Sequence, residues 1–264
     1  MTTSKPNYKR ARPALGTLVV LSLQDLSCEE AEKLFASAFA ELARLEKIFN
    51  FFDETSELSA LNRTSGVPTR VSPELERVLR SGAQIEQISG GAFRLMPKCS
   101  HAVGACYSFD QNFVTKSSCR FDLGGIAKGA IVDFVFEHLL ALAPQAKITV
   151  NAGGDLRSSE SQSIEIRVPA LDAERRFGVE IPAGAIATSS VDAQGLGVGT
   201  ASARYENKHR DHALKVGHRT ASVVAQTCAV ADAWTKVALF SGEKLGAELG
   251  VLAQYRFDQD GMPL

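Results

Sequence analysis

Leu34, Ala38, Leu42, Leu45 and Phe49 recur at helical spacing, which predicts one long amphipathic helix over Glu29–Phe49. Ser27-Cys-Glu-Glu30 precedes it as a capping box, with Ser27 as N-cap and Glu30 reaching back. Leu75, Val78, Leu79, Ile85 and Ile88 mark the buried face of a second helix, which starts at Ser72-Pro73-Glu74 and ends at Gly90-Gly91. Ala127–Leu142 predicts a third helix, stopping before Pro144. Val230–Phe240 predicts a fourth, with Trp234, Val237 and Ala238 facing inward, and Glu243–Leu249 a further short one. Thr17–Leu23, Lys147–Val150, Ser163–Val168, Phe177–Ile181 and Thr220–Gln226 read as strands.

Other segments carry weaker patterns. Phe51–Asn62 reads as a polar loop entered by aromatic residues, and residues 94–120 as short strands and turns without a clear period. Gln194–Asp211 is glycine-rich, polar and short of large apolar residues, which predicts a flexible surface excursion. Helices and short strands mix without the regular alternation of a parallel doubly wound sheet. The expected class is therefore α+β, as a single domain over residues 1–264 with no separable linker.

Composition narrows the function classes more than it names one. The 264 residues are 45% hydrophobic with a formal net charge of -1, ordinary for a globular protein. That balance gives no reason to expect nucleic acid or an anionic membrane surface as a partner, and no apolar run is long enough to span a bilayer. The N-terminus shows no hydrophobic signal core and no lipidation cysteine, so the expectation is a cytoplasmic protein, or an exported one if a leader has been removed. Five cysteines without a CxxC pair read as reduced thiols. Cys99, His101, Cys106 and Cys119 are close enough in sequence to raise a zinc site, but their irregular spacing favours scattered thiols.

Phe121-Asp-Leu-Gly-Gly-Ile-Ala-Lys-Gly129 is the most informative stretch for chemistry. It sets a carboxylate, adjacent glycines and a lysine where an extended segment enters a helix, a junction that favours an anion such as a phosphate. Asn151-Ala-Gly-Gly-Asp-Leu-Arg157 repeats the idea, with Gly153 and Gly154 as a turn and Asp155 read as ordering it. Ala185-Ile-Ala-Thr-Ser-Ser190 and Ala231-Asp-Ala-Trp-Thr-Lys236 follow in order.

This ordered set resembles the ApbE family, flavin transferases that move FMN from FAD onto a protein threonine or serine. The resemblance begins at Ala11-Arg-Pro-Ala-Leu-Gly-Thr17 and continues through Phe52-Asp-Glu-Thr-Ser-Glu-Leu-Ser-Ala-Leu-Asn62 and Gly90-Gly-Ala-Phe93. It implies an α+β fold with mixed or antiparallel sheets flanked by helices and a flavin site between two lobes. It also implies FAD as substrate, Mg2+ as cofactor and a target protein carrying an acceptor Thr or Ser as partner. Leu15 and Phe52 stand where the family places a methionine and a tyrosine against the flavin. Ala92, Phe93, Arg94, Asp122, Lys128 and Thr188 fall at cofactor-binding positions, with Ser189 a further candidate phosphate donor. Gly125, Asp232 and Thr235 fall at metal positions.

Beyond Leu15 and Phe52, the chain departs from the family pattern at three further places. Arg94 replaces an aspartate in Ala-Phe-Asp, leaving either a diphosphate partner or a surface arginine. Lys215-Val216 replaces Asp-Pro after His212-Ala-Leu214, so His212 is the catalytic candidate in an altered motif, near His209 and His218. Finally, the residue four beyond Asp232 is Lys236, and the threonine comes one residue early. Thr235 could reach an ion at i+3, or Lys236 could take the metal position, or the two could form a simple intrahelical pair.

Overall fold

The computed structural model describes residues 6–169, 174–191, 220–241 and 246–264. Its frame is a seven-stranded antiparallel sheet of strands β1 (Asn7–Ala14), β2 (Thr17–Gln24), β6 (Lys147–Ala152), β7 (Asp155–Ser158), β10 (Gly184–Ser190), β11 (Thr220–Ala225) and β12 (Val251–Phe257), side by side in that order. A three-stranded sheet joins β3 (Thr69–Arg70), β5 (Phe113–Lys116) and β4 (Tyr107–Asp110). A ribbon pairs β8 (Gln162–Pro169) with β9 (Glu174–Ile181). Helices α1 (Cys28–Phe49), α2 (Glu57–Asn62), α3 (Pro73–Ile88), α4 (Ala127–Leu142) and α5 (Cys228–Ser241) complete an α+β fold.

Local chemistry accounts for most of these elements. Ser27 caps α1 through the Glu30 N–H while the Glu30 carboxylate accepts from the Ser27 N–H at 2.8 Å, closing the expected box. Ser72 caps α3, with Pro73 in the first turn. The Phe51–Asn62 loop proves to contain α2: Ser56 accepts from the Ser59 N–H and starts a helix whose six residues are too few to show a period. Of the short helix expected over Glu243–Leu249, the described part is a 3-10 turn at Ala247–Leu249. The excursion at Gln194–Asp211 lies outside the described residues.

Alternation along the large sheet assigns its two faces. Ala185, Ala187, Ala221, Val223 and Ala225 join the main core, which also holds α1, α3, α4 and Trp234 of α5. Ile186, Val224 and Leu156 point the other way, into a smaller core with Ile166, Val168, Ile181 and Phe257 beneath the β8–β9 ribbon. Phe177 of the ribbon stacks near Phe257 at 4.8 Å. Helices thus cover one face of the sheet and the ribbon the other.

Helices α4 and α5 meet very closely. A Cβ on Gly129 would stand 2.3 Å from the Cys228 carbonyl oxygen, so only glycine permits this approach. Asp133 of α4 then caps α5, accepting from the N–H groups of Cys228 and Ala229 at 2.8 Å each. Burial foremost, then the Glu137 charge, pushes the Asp133 carboxyl up against the pull of Arg157, 2.8 Å away.

Candidate functional site

Strand register gathers the glycine motifs at one end of the large sheet. Leu15 and Gly16 form the two-residue β1–β2 turn, both with positive φ (55° and 71°). A leucine held in the left-handed region is uncommon and strained, which marks this turn as built for its surroundings. The β6–β7 turn, Gly153-Gly154, lies beside it: a Cβ on Gly153 would stand 2.3 Å from Thr17 Oγ1. Asn151 orders that turn, its Oδ1 accepting from the Gly154 N–H at 2.9 Å.

Asp155 was expected to do so and does not. Its side chain is buried, and its carboxylate pairs with Lys128 Nζ at 3.0 Å. Burial, then the charge of Asp232, pushes the Asp155 carboxyl up to about 6, with Lys128 and Lys236 pulling against the rise. For Lys128 the balance reverses: burial pulls its ammonium down, but Asp155 and Asp232 outweigh that and hold it above its usual value. The segment Asp122–Gly129 therefore delivers its lysine to a pair of buried carboxylates on the helix-covered side of the sheet.

Asp122 is not the helix cap. It accepts from the Gly124 N–H at 3.0 Å, shaping the turn that contains Gly125, and α4 begins at Ala127 with Ile126 at the N-cap and no side-chain cap. The anion at this helix N-terminus is a residue of the protein itself: Asp232 Oδ2 accepts from the Gly129 N–H at 3.2 Å. Asp232 Oδ1 is held by Lys236 Nζ, which also donates to the Asp232 carbonyl at 2.9 Å. Thr235 is fully buried; its hydroxyl donates to the Asp232 carbonyl at 2.7 Å and meets Ser189 Oγ at 2.7 Å. With both Asp232 oxygens and the Thr235 hydroxyl so engaged, the donor set is that of an ion pair and does not fit an open divalent-cation site.

Thr188 and Ser189, adjacent in sequence, fall on opposite faces. Thr188 shares the face of Ile186 and bonds Ser222 Oγ at 2.7 Å, whereas Ser189 reaches Thr235 on the α5 side. Ser189, not Thr188, is therefore the hydroxyl that meets α5, at Thr235.

Phe52 lies at a separate opening. The residue is 73% exposed, and its ring sits edge-on to Phe51 in a cleft of about 440 Å³ lined also by Glu54, Ser59, Asn62, Arg63 and Arg120. Asn62 ties this cleft to the motif segment, bonding the Phe121 N–H and carbonyl at 2.8 and 2.9 Å. An exposed aromatic face beside two guanidinium groups suits a flat ring attached to an anion. The larger cavity, about 570 Å³ around Lys147, Arg157 and Gln226, contains none of the expected site residues.

Phe93 and Arg94 turn inward instead. Phe93 is fully buried, and Ala92 beside it is partly so. Arg94 Nε pairs with the buried Glu86 carboxylate at 2.7 Å, and its Nη2 donates to the His101 carbonyl at 3.0 Å. Glu86 also accepts from the Tyr107 hydroxyl at 2.6 Å. Arg94 is therefore an internal tether of the 86–107 region, neither a surface residue nor aimed at the Phe52 cleft. His212, His209 and His218 lie outside the described residues.

Sequence and structure comparisons agree on what this arrangement resembles. Residues 15–103 and 96–255 match the sequence profile of the ApbE family. No curated protein matches the chain. The fold is similar to the ApbE protein of Thermotoga maritima (TM-score 0.80, 18% identity, covering 98% of this chain and 96% of that one). It is also similar to the apo flavinyl transferase ApbE of Pseudomonas stutzeri (0.77, 18%, 100% and 94%). The flavin transferase ApbE of Vibrio cholerae gives 0.75, with 19% identity over 98% of this chain and all of that one.

Proposed function

The chain belongs to the ApbE family, and from that premise we propose that it is a flavin transferase. In this reading it moves FMN from FAD to a Thr or Ser hydroxyl of a target protein and releases AMP. The observation that carries the reading is the Phe52 cleft joined through Asn62 to the Asp122–Gly129 segment. Phe52 offers a stacking face for the isoalloxazine, and Arg63 and Arg120 offer charge for the diphosphate. The acceptor oxygen attacks the FMN phosphorus, the P–O bond to the AMP half breaks, and AMP leaves with that electron pair. His212 takes the hydroxyl proton. Lys128 and Lys236 supply the positive charge at Asp155 and Asp232. The family resemblance implies magnesium there; in this chain the Lys236 ammonium pairs with Asp232 instead, and the residues do not fit that ion.

A second reading is FAD binding without transfer. The Lys236–Asp232 and Arg94–Glu86 pairs favour it, since both occupy positions where the family pattern differs. One experiment separates the two: incubation with FAD and a flavin-acceptor domain, in EDTA and in magnesium, followed by denaturing-gel fluorescence and AMP quantification. Transfer predicts a fluorescent acceptor and about one AMP per label, equal in EDTA and magnesium. Loss of label in His212→Ala would support the proton role. Bound FAD with neither label nor AMP identifies the second reading.

A further inference from the structure

Three segments that the sequence leaves apart meet at one point of the small sheet. The β4–β5 hairpin sets Cys106 opposite Ser117, whose N–H donates to the Cys106 carbonyl at 2.8 Å, and so brings Cys119 alongside. The loop after α3 folds back over the hairpin and delivers Cys99 and His101 to the same place. The Sγ atoms of Cys99, Cys106 and Cys119 and a ring nitrogen of His101 all lie within 4.8 Å of one another. Cys99 Sγ is 2.8 Å from Cys106 Sγ and 3.2 Å from His101 Nδ1, and Cys99 is bonded to Cys119 as a disulfide. The expectation of scattered, reduced thiols is thus overturned for these residues.

A disulfide alone explains two of the four side chains. It gives no reason for a buried third thiol and an imidazole nitrogen to be aimed at its sulfur. We propose that in the reduced protein Cys99, Cys106, Cys119 and His101 Nδ1 together hold a structural zinc ion. Three thiolates and one imidazole are soft, closed-shell ligands of the kind that select zinc over magnesium or calcium. With Zn–S bonds of about 2.3 Å, tetrahedral sulfurs stand roughly 3.8 Å apart, a spacing this cluster reaches with small side-chain movements.

The surroundings suit the charge of such a site. Three thiolates and Zn2+ leave a net charge of -1. The buried Lys116 ammonium donates to the Cys119 carbonyl at 3.0 Å and stands behind that ligand, while Arg94, itself paired with Glu86, donates to the His101 carbonyl and fixes that part of the loop. The arginine at the altered family position thereby acquires a role next to this cluster. Zinc and the disulfide are alternative states of the same sulfurs. Exchange with two molecules of a small thiol breaks the Cys99–Cys119 S–S bond, gives the two cysteine thiols and leaves the reductant oxidised as its own disulfide. Zinc binding then forms three Zn–S bonds and one Zn–N bond and releases the thiol protons to solvent.

The site serves to clamp the loop from Leu95 to Cys106 onto the chain entering the motif segment, where the Asp122 N–H already donates to the Leu95 carbonyl at 2.8 Å. Its test does not depend on flavin chemistry. The full chain, grown with added zinc and purified in a phosphine reductant, is expected to carry about one zinc per chain by mass spectrometry. Exchange with cobalt is expected to give the visible bands of a tetrahedral thiolate site. Cys106→Ser and His101→Ala are each expected to weaken zinc retention against a chelator at least about tenfold. His101 is exposed, so its variant stays informative even if Cys106→Ser fails to fold. Reduced protein with three titratable thiols here, no zinc and no cobalt spectrum would overturn the proposal. So would a Cys99–Cys119 disulfide that persists through reduction while Cys106→Ser changes nothing.

Discussion

At the scale of single residues, the charges around Asp155 lead to a pH effect. Its carboxyl rises from the ordinary 3.8 to about 6 because burial and Asp232 disfavour the anion more than Lys128 and Lys236 favour it. The folded protein therefore binds a proton that the unfolded chain has released, between those values. This contribution to stability is present in full below about pH 4 and is lost as pH rises through about 6, on the order of 3 kcal/mol at most for a shift of this size. Asp155→Asn should accordingly flatten the decline in stability between pH 4 and 7, read from urea unfolding at several pH values. A variant that declines as steeply as the native protein would show that another group sets the slope. Spacing offered the Asp232–Lys236 contact, because i and i+4 share a helix face, but left it beside Thr235 as an alternative partner of Asp232. It did not identify Asp155, whose position beside two glycines resembles that of a turn residue. Nor did it separate Thr188 from Ser189, since neighbours in a strand take opposite faces that only register reveals.

At the scale of elements, helices with caps and long periodic faces were legible from their residues, and α4 has the bounds its apolar run predicts. Strands without a clean period were not. Strand β1, NYKRARPA, is mostly exposed and basic at Lys9, Arg10 and Arg12, and shows no apolar face, and the four residues of β7 are too few to establish alternation. The α4–α5 contact was visible only as a glycine of unstated purpose. Replacing a helical glycine with alanine ordinarily favours the helix by about 1 kcal/mol. At Gly129 the added methyl would meet the Cys228 carbonyl, main chain that is itself fixed by the Asp133 cap. Gly129→Ala should thus destabilise, by about 1–3 kcal/mol in chemical denaturation. Stabilisation instead would mean that the helices can separate, and with them the Gly129 N–H that holds Asp232.

At the scale of the whole molecule, the candidate site shares the helix-covered face of the sheet with the main core, and a second, smaller core lies on the other face. The helix-covered face carries Lys128, Asp155 and Asp232, and the Phe52 cleft connects to that side through Asn62 and Phe121. The reverse face carries a separate apolar cluster under the β8–β9 ribbon. Composition and periodicity gave the class of fold, but not this division, because it arises from which strands become neighbours across long gaps in sequence. The cysteine cluster was raised by closeness in sequence but set aside for its irregular spacing, and it is the hairpin that brings its members together. The separation of the two faces can be tested with two substitutions, each expected to lower one property and leave the other unchanged. Phe177→Ala removes a ring packed on Phe257 and should lower unfolding stability by about 1–3 kcal/mol, less than for a fully buried ring, while leaving FAD affinity unchanged. Phe52→Ala removes an exposed ring, so the melting temperature should hold while FAD affinity falls by about 1–3 kcal/mol, the usual worth of an aromatic stacking partner. Calorimetric FAD titration and thermal melts of both variants read the two effects independently. If Phe177→Ala weakened FAD binding as much as Phe52→Ala does, the two faces would be coupled through the sheet, and the cleft would no longer account for recognition by its own residues.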